Sequence, residues 1–236
     1  VDQANELAVR LLAADPPIER VYSSLYYRCL QTVEPFVRKA QEAAAGDGPA
    51  LRIRGETGLG EWYGSADFEH PVPASLEKLD PLFPGLLDPS YEPAVTPSRM
   101  GESIDELHDR VAAAMEALIA QCDRDGVRSV LLCSHAAVII ALGRVLTGQM
   151  PDSVEAQDFK CFTCGLSMYR RRPSPGAKTE GRDGSARQAT AGHGVDRHGQ
   201  DGPVPDWRGG RGVSGGWNCE LNSDCTHLSL GEERGW

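Results

Sequence analysis

Two short apolar runs, Ile18 to Ser23 and Val127 to Cys133, each pass directly into a long helical stripe, and this pairing constrains the fold more than any other feature of the chain. The first run leads into a helical pattern from Tyr27 to about Ala45, closed by Gly46-Asp47-Gly48. The second leads through Ser134-His135-Ala136-Ala137 into a helix that continues to about Leu146. Val127 to Cys133 is interrupted only by Arg128 and Ser129, as suits a parallel strand covered on both faces. Leu51 to Arg54 reads as a further strand, and Val1 to Leu12 and Cys161 to Tyr169 as a helix and a strand. Ser103 and Glu106 fit a capping box ahead of a stripe of Leu107, Val111, Ala114, Met115, Leu118 and Ile119. Strands alternating with helices predict an α/β fold with a mainly parallel sheet.

Composition divides the 236 residues unevenly. Residues 1–172 hold the periodic apolar segments and are read as the α/β domain. Residues 173–216 carry 12 glycines in 44 positions and are read as a low-complexity linker, with residues 217–236 as a docking or tail motif. The net charge of −10 splits into −8 before residue 173 and −2 after it, so neither part is a basic arm for nucleic acid. Direct nucleic-acid or membrane partners are not expected. The seven cysteines form no disulfide framework, and no apolar run has membrane length, which predicts an intracellular protein of the cytoplasm or nucleus. Cys161 and Cys164 would point to opposite faces of a strand, and their spacing to Cys219, Cys225 and His227 is irregular for zinc, so no metal or other cofactor is expected.

Chemistry concentrates where strands give way to helices. Arg28 stands at one such junction, behind Ser23-Ser24, where a helix start already attracts anions and a guanidinium adds a fork that matches phosphate. His135 stands at the other, and parallel strands would bring both to one sheet edge. Glu61 lies in Gly60-Glu61-Trp62-Tyr63-Gly64, where flanking aromatics would desolvate the carboxyl, raise its pKa and fit it for general acid work. The proline-rich stretch from 58 to 100 reads as a lid or cover.

Taken together, Ser23-Ser24 with Arg28, Gln31 and Thr32, then Glu61-Trp62-Tyr63-Gly64, Gly101-Glu102-Ser103 and Ser134-His135-Ala136-Ala137 resemble the histidine phosphatase, or phosphoglycerate-mutase-like, superfamily in order and spacing over residues 1–170. Leu25 replaces the proline usual after the paired serines. The resemblance implies a three-layer α/β/α sandwich, with Arg28 clamping phosphate beside Ser24, His135 contacting the transferring phosphoryl group and Glu61 as proton donor. The substrate it implies is a phosphorylated small molecule or a phosphoprotein. It also implies a nucleophilic histidine in an Arg-His-Gly motif after a first, central strand. By that comparison the strand is missing from this chain, whose first segment corresponds to the helix after it, so the chain alone is expected to be inactive and poorly stable.

Arg197-His198-Gly199 copies the nucleophile motif in letters only, because it sits in the glycine-rich stretch with no apolar strand before it. The C-terminal text around Trp217, Asn222 to Ser229 and Gly231 to Trp236 resembles a fungal branch related to the 55 kDa tau subunit of transcription factor IIIC. Phosphomonoester hydrolysis through a phosphohistidine is therefore the leading expectation for the full-length protein. The alternative is a non-catalytic subunit that contacts other proteins of a transcription complex.

Overall fold

The computed structural model describes residues 2–44, 50–66, 68–153, 156–173 and 204–234. Its centre is a parallel sheet of three strands, β1 (Arg20–Ser23), β2 (Ile53–Gly55) and β3 (Val130–Cys133), in the order β2-β1-β3. Val21 lies opposite Ile53 on one side of β1 and opposite Leu131 on the other. Ser23 thus lines up with both Gly55 and Cys133, and three strands end at one level.

Alternation along β1 sorts the two faces. Val21 packs with α1 (Asp2–Leu12) and α2 (Tyr27–Ala43), through Leu7, Leu11, Leu30, Val33 and Val37. Tyr22, one residue on, faces α4 (Ile104–Asp125) and α5 (Ala136–Thr147), where Val111, Leu118, Val138 and Val145 are buried. Helices on both faces of a parallel sheet give the α/β architecture its three layers. The capping box of α4 is formed: Glu106 N–H donates to Ser103 Oγ (3.2 Å), and Ser103 N–H donates to the Glu106 carboxylate (2.7 Å).

Three sequence expectations change in the structure. Cys161 to Gly165 forms a turn rather than the start of a strand, with Cys164 at φ 57°, and β4 begins only at Leu166 and runs to Arg171. The proline-rich stretch is partly core: Leu79, at the end of the short α3 (Leu76–Leu79), and then Phe83, Leu86 and Leu87 are buried against β2. Its ends, near residues 59–72 and 99–100, run beside the sheet terminus. Residues 204–216, inside the stretch that composition assigns to a linker, pack on α4 and α5. Trp207 is fully buried there and stacks on His108 of α4. Gly148 ends α5 at φ 76°, and a side chain at that position would collide with the backbone of residues 210–212. Averaging over a glycine-rich window hid one anchoring tryptophan.

β5 (Trp217–Asp224) pairs antiparallel with β4, so this part of the C-terminal segment folds back on its own chain. Among the described residues β3 pairs only with β1 and β4 only with β5.

Candidate functional site

The level ends of β1 and β3 bring two helix starts together. α2 begins at Tyr27, so Arg28 lies in its first turn, and α5 begins at Ala136 with His135 as its N-cap residue. Both helix ends present the positive pole of their dipoles. The third side chain comes from the loop after β2: Glu56 N–H donates to Ser23 O (2.9 Å), and residues 57–59 make a single 3₁₀ turn that delivers Glu61.

Arg28, Glu61 and His135 meet. Arg28 Nη2 donates to Glu61 Oε2 at 2.7 Å and stands 2.8 Å from His135 Nδ1, while Glu61 Oε2 is 3.1 Å from the same nitrogen. On the far side of the ring, His135 Nε2 is 2.8 Å from Ser24 Oγ. All four residues singled out from the sequence, Ser24, Arg28, Glu61 and His135, therefore form one cluster. Arg28 and Glu61 keep 56% and 24% of their side-chain surface, but His135 only 2%, so the ion pair covers the imidazole.

Proton bookkeeping on His135 follows from donor and acceptor rules. A guanidinium can only donate, so Nδ1 accepts from Arg28 when the ring is neutral. When the ring is protonated, Nδ1–H donates to Glu61. Nε2–H serves Ser24 Oγ in either state, and Nδ1 alone changes partner. Burial opposes the charged ring, but hydrogen bonds to Cys29 and Glu61 outweigh it and raise the His135 pKa. Glu61 moves the other way. Burial pushes its carboxyl up, as the flanking aromatics suggested, yet His135, the Trp62 N–H and Arg28 outweigh that effect and hold it below the ordinary value. Without a ligand, Glu61 is thus held toward its ionised form by His135, the Trp62 N–H and Arg28.

The sequence pointed to neither Tyr26 nor Cys29. The ring of Tyr26 stands edge-on to His135 at 5.2 Å, and the Arg28 guanidinium lies over it at 5.0 Å from the centroid. Cys29 Sγ lies 3.6 Å from His135 Nε2. Its thiol is lowered by the hydrogen bond from Cys133 and, against burial, by His135 and Arg28. Their position beside Arg28 in the sequence was the available signal. Arg197-His198-Gly199 lies outside the described residues. Among the described residues no group of three or more His, Cys, Asp or Glu side chains is arranged to hold a metal ion.

A guanidinium at the start of α2, an imidazole at the start of α5 and a carboxylate from the loop after β2 thus share one cluster. Residues 1–178 match the histidine phosphatase superfamily (branch 1), and the chain belongs to that family. It is 32% identical over 177 residues to the transcription factor tau 55 kDa subunit of Saccharomyces cerevisiae, an alignment covering 72% of this chain and 38% of the yeast protein. It is 26% identical over 182 residues to the ecdysteroid-phosphate phosphatase of Bombyx mori, covering 72% of this chain and 26% of that enzyme. The chain thus spans well under half the length of these relatives. The crystal structure of the silkworm ecdysone phosphate phosphatase with tungstate superposes with a TM-score of 0.49 at 23% identity, over 66% of this chain and 58% of that one. No helix among the described residues is long and apolar enough to cross a membrane.

Proposed function

We propose that the site built on Arg28, Glu61 and His135 binds the phosphoryl group of a phosphate monoester and serves its hydrolysis through a phosphohistidine in the full-length protein. The observation that carries this reading is the convergence of Arg28 and Glu61 on His135 Nδ1, within 3.1 Å, where the starts of α2 and α5 meet the loop after β2. Arrival of a phosphate dianion gives Arg28 and His135 a stronger partner than Glu61. Arg28 turns its fork to two phosphoryl oxygens and protonated His135 donates from Nδ1 to a third. Glu61 loses both cations and gains a dianion as neighbour, which raises its affinity for a proton. It becomes an acid only with substrate bound, when it can protonate the leaving oxygen.

The attacking histidine, on this reading, comes from chain outside the described residues. An apolar strand entering beside the edge of β3 that has no partner among the described residues would set it against the phosphorus from the sheet side. Turnover of p-nitrophenyl phosphate tests this. Residues 1–236 should show little or none, and the protein with its natural upstream sequence should hydrolyse it. Robust turnover by residues 1–236 that His198→Ala abolishes would place the nucleophile in the glycine-rich stretch instead.

A second reading is favoured by the 32% identity to the yeast tau subunit and by the acidic balance of the chain. Here the same fold is a non-catalytic subunit of a transcription factor IIIC-type complex in the nucleus, meeting proteins rather than phosphate backbones. Co-purification of full-length protein decides it: recovery without transcription factors, together with hydrolysis of a phosphate monoester, removes this reading.

A further inference from the structure

Beneath the site lies a second ion pair that is almost wholly buried. Arg110, from the second turn of α4, has a fully buried side chain, and Glu102, just before the helix, has 7% of its side chain exposed. Arg110 Nε donates to Glu102 Oε1 (2.7 Å) and Oε2 (3.0 Å). Its Nη1 donates to two backbone carbonyls, Gly58 O (2.7 Å) and Gly60 O (3.2 Å). Glu102 then holds the other flank of the same loop: its carbonyl accepts from Trp62 Nε1 (2.8 Å), and its N–H donates to Gly64 O (3.0 Å).

Glu61 is thereby bracketed. Gly60 before it and Trp62 after it are each tied to one member of the buried pair, while Ser134 Oγ holds Leu59 O at 2.7 Å. The pair is poorly explained as a stabilising element. Burying two charges costs several kcal/mol per ion before their attraction is counted, and apolar replacements of such pairs are often neutral or better. Arg110 Nη2 is moreover buried with no hydrogen-bond partner among the described residues, a further cost. What the pair supplies instead is direction, because a planar fork fixes two carbonyls and a carboxylate in one geometry.

We propose that Arg110 is a positioning residue for Glu61, acting with Glu102 through the backbone of Gly60 and the indole of Trp62 to hold the carboxylate against His135 Nδ1. The inference rests on the reading that Glu61 serves the phosphoryl site. Its structural content concerns only where Glu61 stands. Lysine at 110 keeps the charge but has no fork to span the Glu102 carboxylate and two carbonyls. Phenylalanine at 62 keeps most of the ring packing and removes only the indole donor.

The test is an NMR pH titration of the His135 imidazole in this chain, compared with thermal unfolding and with titration by inorganic phosphate. The groups facing the ring are Glu61 and Arg28 at Nδ1, Ser24 at Nε2, Cys29 beneath and the edge of Tyr26, and neither substitution touches any of them. Arg110→Lys should lower the His135 midpoint by about one pH unit as Glu61 drifts off, and Trp62→Phe should lower it by less. Leu118→Ala, buried on the same helix, should reduce the melting temperature and leave the midpoint in place. If Arg110→Lys does not fold, Trp62→Phe decides. A wild-type His135 midpoint in the folded variants, with melting temperature reduced, overturns the proposal and leaves Arg110 a structural residue. Failure of the unsubstituted protein to bind inorganic phosphate overturns the phosphoryl-site reading instead, whatever the midpoints do.

Discussion

Two arginine–carboxylate pairs contact the same loop and have opposite characters. Arg28–Glu61 lies at the surface, is shared with an imidazole that changes protonation, and is worth about 0–1 kcal/mol as an exposed pair. Arg110–Glu102 is almost wholly buried and engages backbone on both sides of Glu61. One pair is weak enough for a ligand to break, and the other is too costly to open. A receptor that must exchange its internal partners for a phosphoryl group needs both: replaceable contacts at the mouth and fixed ones underneath.

The largest effect should come from breaking the buried pair. Arg110→Met leaves Glu102 charged and buried with the Gly58 and Gly60 carbonyls unpaired, and should cost about 3–5 kcal/mol in urea unfolding. If it costs no more than an ordinary surface substitution, water reaches Glu102 and the contrast between the pairs disappears.

How much of this could be read from the chain differs between the pairs for the same reason. Arg28, Glu61 and His135 were legible because each stands beside a strand end or in a distinctive aromatic setting, and because their order resembles a known family. Ser103 and Glu106 were legible because a capping box is local. Arg110 was not: it is one arginine in a helix of alternating charge, and its burial depends on Gly58 and Gly60, some 50 residues away. The ionisation of Glu61 was misjudged on similar grounds. Neighbouring aromatics are visible in sequence, whereas the guanidinium and imidazole brought in from α2 and the end of β3 are not. Trp207 was overlooked because windowed composition registers the glycines around it and not the apolar surface it meets on α4.

An intermediate effect is expected at the exposed pair, and it should fall on binding instead of stability. Arg28→Ala removes about 1.5–3 kcal/mol of charged hydrogen bonding to a bound oxyanion in all, a loss of about 10- to 100-fold in affinity for inorganic phosphate. Urea unfolding should change by less than about 1 kcal/mol. Isothermal titration with phosphate, set beside the unfolding curve, separates the two quantities. Equal losses in both would make Arg28 a residue of the fold rather than of the binding site.

The smallest effect depends on pH, and its sign is fixed by the two shifts at Nδ1. His135 has a raised pKa in the folded protein, so the stability it supplies is complete below its ordinary value near 6.5 and fades as pH rises through the folded value. Glu61 has a lowered pKa, so its contribution is present above the ordinary carboxylate value near 4.3 and is lost as pH falls through the folded one. The Glu61–His135 pair therefore contributes only between those limits. Glu61→Gln should destabilise the protein by about 1 kcal/mol or less near pH 5.5, and by a smaller amount at a pH above the folded His135 value, where the contacts to Arg28 and the Trp62 N–H remain. The same loss at both pH values would mean that His135 is not a protonated partner of Glu61. Nδ1 would then face Arg28 alone, and the surface pair would be as fixed as the buried one.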